Sequence, residues 1–213
     1  MLKANKNTLI ITSIITLLPM GIGLFFWNRL PDTMATHFGP DNVPNGFSSK
    51  PFSVFGIPLF CLAMLWLAAF ITSHDPRKQN ISSKIFTLIL WIVSIVSLIA
   101  AAIMYPFNLC FSFDITLIME MLLGLMFVIL GNYLPKIRQN YTIGIRIPWT
   151  LANEENWNRT HRFAGYLWVF SGIVLIILGL TKLLPPIWSL LVLTFMVLIP
   201  CLYSYHLHVK KNL

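Results

Sequence analysis

Residues 131–162 hold most of the side chains in this sequence that could bind a ligand or a partner. They combine amide, guanidinium, hydroxyl, indole and imidazole groups at close spacing. Guanidinium groups grip carboxylates and phosphates at two points. The stretch therefore predicts a docking surface for a protein partner or a small anionic ligand. The candidate binding residues are Asn132, Asn140, Gly144, Arg146, Pro148, Trp149, Thr150, Trp157, His161 and Arg162.

The same stretch predicts a short helix. Pro148 restrains Ile147 to an extended conformation. Thr150 is well placed to cap a helix, and Glu154 and Glu155 follow in its first turns. Carboxylates at that end stabilise a helix because they face the positive end of its dipole.

An anchoring role at the membrane surface accounts for these residues equally well. Trp149 and Trp157 are typical of the headgroup layer. Arg146, Arg159 and Arg162 would then contact lipid phosphates. Residues 131–162 are on this interpretation an interfacial re-entry segment, and both interpretations stay open.

Glu120 is the one ionisable residue deep inside an apolar run. A carboxylate in a membrane is costly unless it is paired or protonated, and it often marks an ion path. Gly124, Phe127 and Gly131 follow Glu120 at helical spacing, so the four share one stripe. Glycines allow close helix approach, which predicts that this stripe faces other helices rather than lipid.

We expect Glu120 to be either neutral or paired with a basic residue at the outer end of a neighbouring run. Lys50 and Arg29 have suitable positions, and Lys50 is the preferred partner. A Glu120 that handled protons or cations would instead indicate a small transporter or an ion-conducting protein.

Metal binding and catalysis are poorly supported elsewhere. His37 lies near Asp32 and Asp41, where a zinc site is conceivable, but ordinary loop chemistry is favoured. His206 and His208 would point about 200° apart on a helix, which makes them poor joint ligands. The sequence has no nucleophile elbow, no P-loop and no His-Glu-x-x-His helix. We therefore expect no enzyme, no cofactor and no metal, and we keep His37 and Lys50 as candidate residues of an outer loop.

Composition indicates which elements position these residues. Of the 213 residues, 57% are hydrophobic and 10% are charged, and the mean hydropathy is +0.76. Such values exclude a soluble globular domain. Continuous apolar runs of about 20 residues are typical of membrane-spanning helices rather than of barrel strands. Residues 1–213 thus predict a single all-α membrane domain with six spans. The runs are Leu9–Trp27, Phe52–Thr72, Ile85–Tyr105, Ile115–Leu134, Phe163–Thr181 and Ile187–Tyr205.

The basic residues predict the orientation of these spans. Of the 15 lysines and arginines, 12 fall on the side that carries both termini and 3 on the other. The positive-inside rule places both termini, 73–83 and 135–162 in the cytoplasm and 28–51 outside. Prolines and glycines in 28–51 predict an irregular loop with turns at Gly39-Pro40 and Pro44-Asn45-Gly46. The charge is scattered over several loops, so it does not indicate direct binding of nucleic acid.

Two groups of residues resemble a known family. The signature of the SdpI family is similar to Gly131-Asn132, the string Gly144 to Leu151 (GIRIPWTL), Trp157 and Thr160-His161-Arg162. The domain of unknown function that precedes this signature in longer members is similar to Leu30-Pro31, Thr36-His37-Phe38-Gly39, Gly46 and Ser49-Lys50-Pro51. One departure is Ile147, where many members carry Thr.

The resemblance implies a six-helix, multi-pass protein of the bacterial cytoplasmic membrane without enzymatic residues. The immunity member of the family is described as protecting its cell from a membrane-acting peptide toxin and as holding a small repressor at the membrane. We therefore expect an immunity or signalling protein. Its expected partners are membrane lipids, a secreted peptide toxin outside and a small transcriptional repressor inside. The alternatives are a small transporter that uses Glu120 and a structural scaffold.

Overall fold

The computed structural model describes residues 1–39, 41–182, 185 and 187–211. Within these residues six helices are long and apolar enough to cross a membrane, which confirms the six predicted spans. The elements are α1 Lys6–Phe25, β1 Thr33–Phe38, β2 Pro44–Ser49, α2 Ile57–Ser73, α3 Ser83–Asn108, α4 Ile115–Tyr133, α5 Pro148–Ala152, α6 Glu154–Thr181 and α7 Ile187–Lys211.

Helix α6 extends well beyond the apolar run that predicted it. It begins at Glu154 rather than at Phe163 and has 28 residues. At 1.5 Å per residue its length is roughly 42 Å, against about 30 Å for the hydrocarbon core of a bilayer. The helix is therefore longer than a bilayer core requires. Its first turns, residues 154–162, can extend beyond the hydrocarbon.

Prolines lie inside three of the spanning helices: Pro19, Pro106 and Pro200. At Pro200 a side chain replaces the backbone hydrogen bond that the proline removes. Pro200 in α7 has no N–H, so the carbonyl of Met196 loses its helical donor. The indole Nε1 of Trp168 in α6 donates to this carbonyl at 3.0 Å. The side-chain donor satisfies a backbone group that a bilayer could not satisfy.

The segment that was predicted to be the first outer loop is a β-hairpin, so the prediction of an irregular loop is wrong. Strands β1 and β2 pair antiparallel, with register shifts around His37. The chain reverses after Gly39, whose N–H donates to the Val43 carbonyl at 2.8 Å, while Pro40 lies outside the described residues. Residues Pro44–Gly46 begin β2 and do not form the second predicted turn.

A side chain of α3 bonds to the β1 edge of this hairpin. Asn108 accepts a hydrogen bond from the Ala35 N–H at 2.9 Å and donates one to the Ala35 carbonyl at 2.9 Å. The amide thus bonds to β1 as a third strand would. Phe38 adds an edge-to-face contact with Phe107, with the ring centroids 4.7 Å apart.

The chain divides into two compact units, and the first comprises Met1–His74 and Ser82–Ile115. Hydroxyl side chains join α1 to α3 in its interior. Thr16 donates to the Ser94 hydroxyl at 3.0 Å, and Ser97 donates to the Thr16 carbonyl at 2.9 Å. Small hydroxyl residues of this kind let membrane helices approach closely. The buried apolar cluster nearest the hairpin consists of Leu30, Met34, Val54, Ala101, Met104 and Tyr105.

The second unit comprises Asp75–Ile81 and Thr116–Leu213. Glycines bring α4 and α6 into backbone contact within it. A Cβ at Gly124 would lie 2.5 Å from the Gly172 carbonyl oxygen, and a Cβ at Gly131 would lie 2.8 Å from that of Gly165. The predicted glycine stripe of α4 therefore faces a helix, as expected from its spacing.

Candidate functional site

Trp157 and His161 form the buried centre of the signature stretch. The indole of Trp157 is 0% exposed, so it does not anchor this segment by direct contact with lipid headgroups. Its Nε1 donates to the Ile137 carbonyl at 2.7 Å. The imidazole of His161 stacks on the indole, with ring centroids 4.0 Å apart and an angle of 19° between the planes. Both side chains belong to the first turns of α6 and pack under the loop that precedes α5.

The loop crosses His161 at Gly144. The Ile145 N–H donates to His161 Nε2 at 2.9 Å, and the imidazole donates from Nδ1 to the Trp157 carbonyl at 2.8 Å. One ring nitrogen accepts and the other donates, which defines a neutral imidazole. Gly144 has a φ of 111°, and a Cβ there would overlap Nε2 of His161. Only glycine fits this close approach at such a dihedral.

Thr150 stabilises α5 from inside the helix, so its predicted position as the capping residue is wrong. The residue before α5 is Ile147, which is extended because Pro148 follows it. The Thr150 hydroxyl accepts from the Ile147 N–H at 3.1 Å and lies 2.8 Å from the Ile145 carbonyl. A buried hydroxyl thus fixes the backbone on both sides of Arg146.

Asn153 caps the helix that follows. Its side-chain oxygen accepts from the N–H groups of Glu155 and Asn156 at 2.8 and 3.0 Å. Glu154 and Glu155 lie in the first turn of α6, at the positive end of its dipole. They were predicted to lie in the first turns of the short helix, but they belong to the spanning helix α6 instead.

Asn140 closes the turn before Gly144. Its side-chain oxygen accepts from the N–H groups of Thr142 and Ile143 at 2.8 and 2.7 Å. Its amide nitrogen donates to the carbonyls of Arg138 and Ile143 at 2.8 and 3.1 Å. The side chain is 0% exposed and is used within the loop. Asn140 therefore shapes the site and is not available to a ligand.

Asp75 holds the same turn from a distant part of the sequence. It is 4% exposed, and its carboxylate accepts from the Arg77 N–H at 2.7 Å and from the Tyr141 N–H at 2.9 Å. The Thr142 hydroxyl also donates to it. The sequence around Asp75 gives no local indication of a bond to residues 141–142.

Gln139 also holds this loop, and it is not among the candidate residues predicted from the sequence. Its amide nitrogen donates to the carbonyls of Thr150 and Leu151 at 2.7 and 3.0 Å, which satisfies the end of α5. Its side-chain oxygen accepts from the Arg77 guanidinium. The Asn80 side chain donates to its backbone carbonyl at 2.7 Å. Residues 75–81 thus brace the signature loop through side chains.

Asn156 of α6 forms hydrogen bonds with Ser204 of α7. Its amide donates to the Ser204 carbonyl at 3.0 Å, and the Ser204 hydroxyl donates back at 2.6 Å. Thr160 donates to the same amide oxygen at 3.1 Å. These three side chains are 0% exposed, so they form a buried polar contact between the two helices.

The remaining candidate residues lie at or near the surface of the site. Arg146 is exposed, and its guanidinium donates to the Tyr141 carbonyl at 2.6 Å. Arg162, Pro148 and Asn132 are exposed as well. Trp149 is half-buried against Tyr205, with ring centroids 5.3 Å apart. A partner could therefore reach the arginines but not Asn140, Thr150, Trp157 or His161.

The hairpin holds the outer-loop candidates. His37 bonds through Nδ1 to the Asn45 side-chain oxygen. Lys50 is nearly buried and forms an ion pair with Asp32 at 3.0 Å and a hydrogen bond to the Trp27 carbonyl at 3.3 Å. Within the described residues no group of three or more His, Cys, Asp or Glu side chains could hold a metal ion.

Glu120 hydrogen-bonds to a side chain of α7, a contact that the neutral form, one of its two predicted states, also permits. The Ser189 hydroxyl of α7 donates to its carboxylate, while Lys50 pairs with Asp32 within the other unit. The carboxylate lies over Gly179 of α6, where an added Cβ would be 3.1 Å from Oε2. Glu120 thus joins α4 to both of the later spans of its own unit.

Comparisons with known proteins agree with this architecture. Residues 136–204 match the model of the SdpI/YfhL protein family, and residues 14–62 match a domain of unknown function, DUF1648. The chain is 28% identical to the Immunity protein SdpI of Bacillus subtilis (strain 168) over 208 residues, which cover 95% of this chain and 97% of that protein. No solved structure matches it. With six spanning helices and these matches, the chain is a multi-pass bacterial membrane protein that is similar to members of the SdpI/YfhL family.

Proposed function

We propose that this protein gives its cell immunity to a secreted, membrane-acting peptide. The observation that carries the proposal is the similarity to the Immunity protein SdpI, which extends over 95% of the chain. It covers the outer hairpin and the signature stretch as well as the spans. The proposed role needs binding and conformational change only, so it involves no catalytic residue.

The hairpin is the proposed contact for the peptide. Phe47 on β2 and Val43 beside it are exposed, as is Phe111 on the loop before α4. Exposed apolar side chains next to a membrane favour an amphipathic or apolar peptide as the partner. The orientation that places this surface outside is the one predicted from the basic residues.

The signature loop is the proposed contact for a cytoplasmic regulator such as a small transcriptional repressor. Arg146 extends from a loop whose backbone is fixed by Asp75, Asn140 and Thr150. An exposed guanidinium on a backbone held in this way suits two-point binding of a carboxylate. Along the chain α2 runs from the hairpin to Asp75, which offers a covalent route for a signal from peptide to loop.

Deletion of the gene followed by challenge with secreted peptides from related strains tests the immunity proposal. The deletion strain should become sensitive to at least one peptide, and the intact gene should restore resistance. Phe47→Ser should restore less resistance at equal protein level, because it removes an exposed apolar contact. Unchanged sensitivity across the panel would contradict immunity.

Arg146 tests the signalling part separately. Arg146→Ala should abolish the response of the regulator while membrane insertion and protein level stay intact, since the side chain is exposed. Arg146→Lys should also fail because an ammonium cannot bind at two points in a plane. Arg138→Ala is the matched control. Full rescue by Lys would reduce the role of Arg146 to a positive charge at the headgroups.

A transport function remains the second candidate, favoured by Glu120. The carboxylate lies within α4 and contacts Ser189 of α7. Intramembrane carboxylates between helices often belong to ion or proton paths.

A further inference from the structure

A groove of about 610 Å³ lies between α6 and α7 at the first turns of α6. The polar side chains that line it are Glu155, Asn158, Arg159, Arg162, Tyr166 and Tyr203. The ring of Phe163 stacks on that of Tyr203, with centroids 4.6 Å apart. The groove thus combines two guanidinium groups with two phenols and one carboxylate, that of Glu155.

Three of these polar side chains have no hydrogen bond or ion pair with the part of the chain that the structure describes. Arg159 pairs with Glu155 of the same helix. Arg162 is exposed and forms no ion pair or hydrogen bond with any described residue. The same holds for the hydroxyls of Tyr166 and Tyr203 among the described residues. One formal positive charge and several donors therefore remain free on the groove.

The groove lies where α6 changes from polar to apolar. From Glu154 to Arg162 its exposed residues are polar or charged, and from Phe163 onward the helix is largely apolar. Arg159 and Tyr166 are roughly 10 Å apart along the helix axis, at 1.5 Å per residue. Below the groove the same face continues with Phe170, which is 67% exposed. A ligand that fills this surface needs an anionic head and an apolar tail.

We propose that the groove binds an anionic phospholipid. Its phosphate is held by the Arg162 guanidinium with help from Arg159, and Tyr166 and Tyr203 donate to the phosphate or glycerol oxygens. Its acyl chains lie along Phe170. An acidic protein segment fits the two arginines but not the apolar continuation of the same face. Guanidinium groups bind phosphate oxygens at two points, and basic pockets between helices suit lipid headgroups.

Native mass spectrometry of the protein in a neutral detergent tests this site. Phosphatidylglycerol and phosphatidylcholine with the same acyl chains are added in equal amounts. The first bound lipid should be phosphatidylglycerol. Arg162→Gln should lower the preference for it about fivefold, which corresponds to roughly 1 kcal/mol for one basic residue near a lipid surface. Arg162→Lys should retain most of it.

Arg138→Gln is the matched control, since it removes an exposed arginine from the same unit outside the groove. It should leave the preference unchanged. Equal binding of the two lipids, or equal losses in Arg138→Gln and Arg162→Gln, would overturn the site. Displacement of the lipid by inorganic phosphate at the same concentration would make the free anion the ligand and would also overturn the proposal. The thermal midpoints of the lipid-free variants should match the wild type, because Arg162 has no described partner to lose.

Discussion

Buried polar side chains, rather than the exposed arginines, determine the shape of the signature loop. Asp75, Gln139 and Asn140 each satisfy backbone groups of the loop or of α5. A buried backbone group left unsatisfied costs about 1–3 kcal/mol. The loop backbone therefore depends on them, although Asp75 lies 66 residues from Tyr141 in sequence. Sequence reasoning located the loop but missed Asp75 and Gln139, because pairing over such a distance has no local signal.

Gly144 is a position where a single added methyl group should lower the stability of the protein. Gly144→Ala should lower stability by about 1–3 kcal/mol, because a φ of 111° is strained for alanine and the new Cβ overlaps His161. Gly21→Ala is the control, since a Cβ there meets nothing within 4 Å. Thermal unfolding in detergent measures both. Equal midpoints for the two variants would show that the loop can move away from His161 at no cost.

Glu120 separates the two proposed functions. Glu120→Gln keeps a hydrogen-bond acceptor for Ser189 but removes the ionisable group. If the residue only joins helices, Glu120→Gln should protect cells fully, while Glu120→Leu should reduce protein level or protection. Challenge assays on the two variants at matched expression give the answer. Loss of function in Glu120→Gln at normal protein level would instead support proton or cation handling.

The apolar runs of the sequence predicted the six spanning helices, but they did not predict the early start of α6 or the hairpin between α1 and α2. Helix α6 continues to Glu154 because Asn153 caps it there and buried Trp157 and His161 pack against the loop. Neither contact has a hydropathy signal. The hairpin was missed because its stability depends on Asn108 of α3, which bonds to β1 from a distant part of the chain. Hydropathy reports burial in lipid, whereas these elements depend on specific polar contacts.

The close contact between α4 and α6 leads to a prediction about how these two helices pack. Gly172→Leu should disrupt the pair, because a Cβ at Gly172 already lies 2.5 Å from the Gly124 carbonyl oxygen. Backbone atoms cannot yield as a flexible side chain can, so the loss should be several kcal/mol, on the order of an overpacked core. Gly21→Leu is the matched control in a membrane helix with open space. Thermal unfolding of both in detergent decides it, and a tolerated Gly172→Leu would mean that α4 and α6 can separate without loss of the fold.

For the whole molecule, every assignment of an outer hairpin and an inner signature loop depends on orientation. The basic residues predict both termini in the cytoplasm, with 12 of 15 on that side. Six spans require both termini to share a side, so one external label near the hairpin and one near α6 determine the orientation.

Single cysteines at Asn42 and Glu155, in a chain whose native Cys61, Cys110 and Cys201 are replaced, provide these labels. Asn42 is half-buried in the hairpin turn, next to exposed residues, and Glu155 is exposed in the first turn of α6. In intact cells a membrane-impermeant maleimide should label Asn42→Cys and should leave Glu155→Cys unlabelled until the membrane is opened. Labelling of Glu155→Cys alone in intact cells would invert the molecule and would place the signature loop on the side of the secreted peptide.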